Sequence, residues 1–274
     1  MLRQIETVKG RTTMKIIPIT LLRYFADFIQ NREWLFILAA IKYKLFGKPS
    51  QRNTLIRTNL GLFVARKGTI DFQFANYAYE WNVKRFVLNH YKNYDVFIDI
   101  GANIGTYAIM AAKLGLRAVA FEAIPDNLAV MHTNVRLNKM ADKIKVFDVG
   151  LSDRQYVTEF VFDTVNTGAS HLAHNNENSN RVKVQMKTFD SLFEQMGIAP
   201  SDKVFMKIDV EGMEVAVING AKQFLSSHKN LLLVLESIHS EADNICHALD
   251  RHGNFTYQRV DKLNISAKKN HETL

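Results

Sequence analysis

One run constrains what this chain can fold into more than any other: VFIDIGANIGTYAIMAAKLGLRAVAFEAIP, residues 96–125. An apolar strand ending on Asp99-Ile100 leads into a turn that holds Gly101 and Gly105. A helical stretch follows, and then a second apolar strand that ends on Glu122. Two strands joined through a helix run parallel, with a right-handed crossover. Twenty-one residues separate Gly101 from Glu122, the length of one such step.

The alternation continues downstream. Strands are predicted at 96–100, 118–121, 144–149, 204–208 and 231–235, with helices at 106–114, 126–139, 213–225 and 242–251. Near-continuous apolar strands spaced by helices imply a doubly wound, mostly parallel α/β sheet covered on both faces. One insertion breaks the pattern. TEFVFD and RVKVQMKTF read as the antiparallel strands of a β-hairpin around the asparagine-rich TVNTGASHLAHNNENSN. A loop that long in a compact domain is functional or mobile. Upstream, TLIRTNLGLFVAR reads as two short strands around Asn59-Leu60-Gly61, and Val83, Phe86, Val87 and Tyr91 mark a helix before the glycine turn.

Residues 1–50 form a separate section, a helical extension to a main domain at 51–274. Leu21, Leu22, Phe25, Phe28 and Ile29 recur at helical spacing, as do Trp34, Leu38, Ile41 and Leu45. This section holds nine Lys/Arg against three Asp/Glu, a net +6 out of +8 for the whole chain. A basic end beside a near-neutral core suggests either a solvated surface or contact with something anionic, such as a membrane surface. The two helices either pack their apolar faces on the main domain or lie on that surface. The longest apolar run, residues 34–41, is too short to span a bilayer, which needs about 20 residues. With Cys246 as the single cysteine, no intrachain disulfide forms, and a reducing, cytoplasmic setting is expected.

Ligands of doubly wound sheets bind at the carboxyl ends of the strands. Dinucleotide turns carry G-x-G-x-x-G and seat a pyrophosphate on the helix N-terminus. Here the turn is D-I-G-A-N-I-G, with Asn103 where the middle glycine would be. Asp99 just before the turn would repel a pyrophosphate and favour a cation or an ammonium group. Glu122 can accept hydrogen bonds from both ribose hydroxyls. Such a site prefers a positively charged nucleoside, and S-adenosylmethionine carries a sulfonium and an α-amino group.

FIDIGANIGTYAIMAAK, AFEAIPDN, NVRLN and MKIDVEGMEVAVINGA together resemble the FkbM family of S-adenosylmethionine-dependent methyltransferases, over roughly residues 61–240. The resemblance implies a class I methyltransferase sheet of seven strands with the last pair reversed. It also implies O-methylation of hydroxyls on sugars or natural-product scaffolds. It places Asp99, Gly101, Ala102, Asn103 and Gly105 in the cofactor loop, Glu122 on the ribose, and Gly150-Leu151-Ser152 beside the adenine. Two departures stand out. Ala123 follows the ribose acid where the family more often has proline, and Glu236 and His239 lie three residues apart rather than two.

The fourth strand ends FMKIDVEGMEV. Residues two apart in an extended chain face the same side, so Asp209 and Glu211 can both point into the cleft. Asp209 is the first candidate for general base or acceptor-orienting group, with Glu211 and His239 as further catalytic candidates. Lys207 would tune or neutralise these carboxylates. Asp209, Glu211 and Glu236 could also hold Mg²⁺ or Ca²⁺, although no metal is the simpler expectation. No histidine shows zinc spacing; His171 and His239 could reach the cleft. The competing readings are an NAD-dependent oxidoreductase and a catalytically silent nucleoside-binding protein. The missing dinucleotide fingerprint argues against the first, and intact acids at three strand ends argue against the second. A nucleic-acid acceptor is not expected, since the excess charge lies outside the core and no N-P-P-Y-like tetrapeptide follows the fourth strand. A small-molecule or glycan acceptor is.

Overall fold

A computed structural model describes residues 19–172 and 180–270. In chain order the helices are α1 (Ile19–Gln30), α2 (Trp34–Phe46), α3 (Asp71–Phe74), α4 (Trp81–His90), α5 (Thr106–Lys113), α6 (Pro125–Leu137), α7 (Phe193–Met196), α8 (Glu214–Gly220), α9 (Lys222–Ser227) and α10 (Ala242–Asp250). The strands are β1 (Thr54–Thr58), β2 (Gly61–Ala65), β3 (Val96–Ile100), β4 (Arg117–Phe121), β5 (Ile144–Phe147), β6 (Gly150–Leu151), β7 (Tyr156–Val161), β8 (His171–Leu172), β9 (Arg181–Lys187), β10 (Val204–Ile208), β11 (Leu231–Glu236), β12 (Phe255–Arg259) and β13 (Asn264–Lys269).

Seven strands make the main sheet, in the order β12-β13-β11-β10-β3-β4-β5. The central five are parallel; β13 runs antiparallel to both its neighbours and lies inside β12. This is the doubly wound class I methyltransferase arrangement. Strand residues alternate between two cores, as the pleat requires. Phe97, Ala118, Phe205 and Val234 face α5 and the N-terminal elements. Val96, Ile98, Val119, Met206 and Leu233 face the layer of α8 and α10. The expected helix over 213–225 is two helices, because the chain turns at Ala221 between α8 and α9. The predicted hairpin is β7 with β9, extended by β6 and β8 into a four-stranded sheet.

The asparagines of PDN and NVRLN act as cross-links. Asn134 donates to the carbonyl of Ile104 in the glycine turn and accepts from Val64 N–H in β2. Asn138 donates to the Leu62 carbonyl and accepts from its N–H. These bonds satisfy buried backbone groups that would otherwise be costly.

The extension behaves differently from its expected faces. Phe28, Phe36 and Ala40 are buried in the same core as Ile56, Phe63 and Phe72, and the Phe36 and Phe72 rings lie 6.0 Å apart. Trp34, Leu38, Ile41 and Leu45, the set chosen by spacing, are exposed. Helix α2 is apolar on almost every side, so periodicity could not tell which stripe packs inward. Residues 1–18 of the extension lie outside the described residues, as does part of the polar insertion with His174. Among the described residues no helix is long and apolar enough to cross a membrane.

Candidate active site

From β3 the chain winds outward through β4 and β5, and from β10 it winds the other way through β11. The loops after β3 and β10 therefore diverge and leave a crevice between them.

The first loop is held by backbone bonds. Gly101 N and Ala102 N both donate to the Phe121 carbonyl, at 3.1 and 2.9 Å, and Gly105 N donates to Ala102 O at 2.8 Å. Gly101, Asn103 and Gly105 all take positive φ, at 82°, 50° and 84°. The glycines serve packing more directly than expected. A Cβ on Gly101 would stand 1.8 Å from the Asp209 carbonyl oxygen, so this glycine lets the two loops touch rather than merely clearing space for a ligand. A Cβ on Gly105 would meet Met131 at 2.7 Å, against α6.

Glu122 closes the loop from beneath. Its Oε2 accepts from Asn103 N and its Oε1 from Ile124 N, both at 2.7 Å. Burial pushes its carboxyl up to about 7, although those N–H bonds favour the charged form. Asp99 is buried under the loop and lines neither neighbouring cavity; its Oδ2 accepts from Ala108 N in α5 at 3.1 Å. Burial raises its carboxyl to about 6, with the Lys207 ammonium opposing. Asp99 thus supports the loop and its field instead of lining the crevice.

Two cavities meet in the crevice. One is lined by Gly101, Asn103 and Glu122, with apolar walls from Phe121, Val149, Leu151, Phe160 and Met186; Gly150 lies along it as well. Thr167, Gly168 and Ser170 of the insertion close its side, and Asn127 holds them by donating to Thr167 O at 2.9 Å. Apart from its length, nothing in the insertion's sequence marks those three residues. The second cavity is lined by Phe74, Tyr79, Glu80, Ala102, Tyr107, Lys207 and Glu236. Asp209, Glu211, Gly101, Asn103 and Gly168 belong to both.

The second cavity is crowded with charge. Lys207 lies across from Asp99 in the β3–β10 register, so both leave the sheet on one face. Its Nζ donates to Asp209 Oδ2 at 2.6 Å and lies 4.8 Å from the Tyr107 ring centre. Burial alone would lower the Lys207 ammonium, but Asp209, Glu80 and Asp99 outweigh it and hold it above its ordinary value. Tyr107 donates to Glu80 Oε2 at 2.8 Å. The fully buried Lys84 donates to the carbonyls of Tyr79 and Asn76. Glu80, Lys84 and Tyr107 were not anticipated, since they come from the residue before α4, from α4 and from α5, and no local motif marks them.

Glu211 has φ 50°, and its Oε2 lies 3.2 Å from His239 Nε2. Burial and then Asp209 raise the Glu211 carboxyl to about 7, with His239 opposing. Burial, then Asp209 and Glu211, raise Glu236 well above the usual carboxylate range. Side-chain oxygens or nitrogens of Glu211, Glu236 and His239 lie within 4.8 Å of one another, the spacing of a potential metal site. His239 itself is half exposed and touches Glu211 rather than either cavity. Glu214, not Glu211, ties the loop together: it accepts from Val210 N and Gly212 N at 3.2 Å and from the Ser240 hydroxyl. His171 lies in β8, with Nδ1 3.2 Å from Ala169 O.

A class I methyltransferase sheet with an acid-ended second strand, a glycine turn and an apolar slot beside them defines a nucleoside-dependent transferase. The chain belongs to the FkbM methyltransferase family: residues 99–261 match the methyltransferase FkbM domain. Its cofactor is S-adenosylmethionine. The residues present fit that group, because Asn103 Oδ1 and Ser170 Oγ, on two residues that line the first cavity, are buried with no partner among the described residues. Similar solved structures include an FkbM methyltransferase from Methylobacillus flagellatus, at 16% identity and TM-score 0.46 over 73% of this chain and 56% of that one. They also include a Pyrococcus abyssi tRNA (uracil-54, C5)-methyltransferase with S-adenosyl-L-homocysteine, at 12% identity and TM-score 0.41 over 78% and 43%. A third is the N-terminal domain of human METTL16 with the same ligand, at 14% identity and TM-score 0.40 over 84% and 78%. The chain thus spans about half the length of the Methylobacillus protein it matches. No curated protein matches the sequence.

Proposed function

We propose that the protein transfers a methyl group to a hydroxyl of a sugar, a glycan or a related small molecule, with Asp209 aligning or deprotonating that hydroxyl. The observation that carries this reading is that Asp209 and Glu211 line both cavities at their junction. The first cavity takes the donor and the second the acceptor. The bound donor supplies a methyl on an activated sulfonium, so the protein's work is alignment of the attacking oxygen. With the donor bound, its sulfonium would supply the methyl to the acceptor oxygen and leave as the neutral thioether, and the Asp209 carboxylate would take the hydroxyl proton. Lys207 fixes that carboxylate at 2.6 Å. Carboxylates beside the aromatic faces of Phe74, Tyr79 and Tyr107 suit a polyhydroxylated acceptor: the acids accept from its hydroxyls while the rings cover its C–H face.

A second reading rests on Glu211, Glu236 and His239: a divalent cation held there would orient the acceptor oxygens instead. Chelation separates the two. Activity that survives EDTA supports Asp209 alone, whereas activity abolished by EDTA and restored by Mg²⁺ supports the metal. The acceptor class is tested by incubating the protein with labelled donor and cell-envelope, glycan or nucleic-acid extracts. Label in glycan or small molecules supports the proposal; label confined to nucleic acid overturns it. Stabilisation by S-adenosylhomocysteine without stabilisation by NAD separates a transferase from an oxidoreductase.

A further inference from the structure

The outer face of α2 has no partner among the described residues. Trp34, Leu35, Leu38, Leu45 and Phe46 are 58%, 72%, 56%, 67% and 68% exposed, with Ile41 beside them. At 100° per residue these six positions span one continuous side of the helix, opposite the buried Phe36 and Ala40. Six large apolar side chains left together on a soluble surface mark a binding face. The groove along that face runs from α2 to residues 48–54, and its charged members are all basic: Lys42, Lys48 and Arg52.

We infer that this face is a docking surface for an anionic lipid bilayer, with α2 lying in the headgroup plane. The charge pattern selects this occupant. Apolar insertion joined to basic headgroup contacts is the two-part signal that stable peripheral binding requires. Lys42 lies amid the apolar stripe, and its long stem lets the ammonium reach headgroups while its methylenes stay with the acyl boundary. A second copy of the chain fits poorly, because a two-fold interface sets a patch against itself and would bring Lys42, Lys48 and Arg52 toward their own counterparts. At 13 residues α2 is far too short to span, which leaves the in-plane orientation.

The docking face is coupled to the cleft by α3. Phe72 packs on Phe36 of α2, while Phe74, two residues on, lines the acceptor cavity. A bilayer on the outer face of α2 is therefore one helix layer away from the element that walls the second cavity. The inference stands independently of the acceptor's chemistry.

The test uses the full chain and sedimentation with equimolar phosphatidylglycerol–phosphatidylcholine vesicles, against neutral phosphatidylcholine vesicles. The wild type is expected to bind the anionic vesicles, to lose binding as salt is raised, and to leave the neutral ones mostly unbound. Lys42→Glu/Lys48→Glu/Arg52→Glu should weaken partitioning by about a hundredfold or more, from the loss of roughly one favourable contact per basic residue. Trp34→Ser/Leu38→Ser/Phe46→Ser should abolish binding at any salt. All six positions are exposed or lie along the open groove, so unchanged unfolding curves and S-adenosylhomocysteine affinity confirm that the variants are folded. Wild-type protein that ignores anionic vesicles overturns the inference. So do variants that bind as well as wild type, or a lipid-free dimer that the serine variant dissociates, which would make the face a protein interface.

Discussion

The loop after β3 and the loop after β10 each hold a non-glycine residue in the left-handed region, Asn103 and Glu211, both at φ 50°. Each also holds a glycine of positive φ, Gly101 at 82° and Gly212 at 100°. Beyond that they diverge. The β3 loop spends its polar groups on itself: backbone N–H groups meet Phe121 O and Glu122, and the neighbouring cavity is walled by apolar side chains. The β10 loop turns charges outward beside Glu236 of β11, and burial, followed by the nearby Asp209 carboxylate, drives Glu211 and Glu236 up in pKa. A rigid pocket with mostly apolar walls suits a cofactor of fixed shape. A charged, incompletely paired pocket suits the acceptor, whose hydroxyls complete it.

The largest effect should come from joining the two loops wrongly. Gly101→Val sets a Cβ into the Asp209 carbonyl at a φ that branched residues avoid, so the loss should exceed about 4 kcal/mol and leave little folded protein. Urea unfolding or soluble yield checks this. A folded Gly101→Val protein would show that the loops are not in contact.

Asp209→Asn should lower turnover about 10²–10⁴-fold, the usual share of general acid–base catalysis. Unchanged turnover would move acceptor alignment to Glu211 or Glu236.

Glu122→Gln should weaken S-adenosylhomocysteine binding about tenfold to a hundredfold, from the loss of a charged acceptor worth about 1.5–3 kcal/mol. Because both its oxygens accept backbone N–H groups, the glutamine also turns an NH₂ toward one of them, and folding should weaken by about 1–3 kcal/mol. Affinity measured on fully folded variant that matches wild type would remove Glu122 from the donor pocket.

The smallest effect is in pH. Donor binding favours ionised Glu122, whose carboxyl titrates near 7 in the free protein, and Asp99, near 6, acts in the same direction. Affinity should therefore fall as pH drops below about 7, by at most about tenfold per unit for one linked proton, and level off above it. The free protein shows the opposite sign: these raised acids contribute stability that is complete below their unfolded values and is lost as pH rises through about 6–7. A flat affinity profile from pH 5.5 to 8 would contradict the linkage.

The comparison of loops also explains what the sequence made legible. β3, the glycine turn and β4 are contiguous, so strand period, turn residues and the acid at Glu122 all fall within thirty residues and define the donor side. The second cavity adds Glu80 from before α4 and Tyr107 from α5 to Lys207 and Glu236, and only the fold brings those two to the acids that the strand ends had marked. Asp209 and Glu211 were readable because the strand period puts both on one side. The outward stripe of α2 was unreadable for a different reason: a helix apolar all round carries no phase. His239, a catalytic candidate from the sequence, meets Glu211 in the structure and lines neither cavity.

The central claim, that donor and acceptor halves are distinct and meet at Asp209, is tested most directly by titrating S-adenosylhomocysteine into wild-type protein and into Asp209→Asn by calorimetry. Wild type should bind, and Asp209→Asn should bind with a Kd within about threefold of it, because the amide keeps the size of the side chain at the junction of the two cavities and the proposed work of Asp209 is on the acceptor hydroxyl. A wild-type protein that does not bind, or an Asp209→Asn protein that loses binding as severely as Glu122→Gln, would contradict the account.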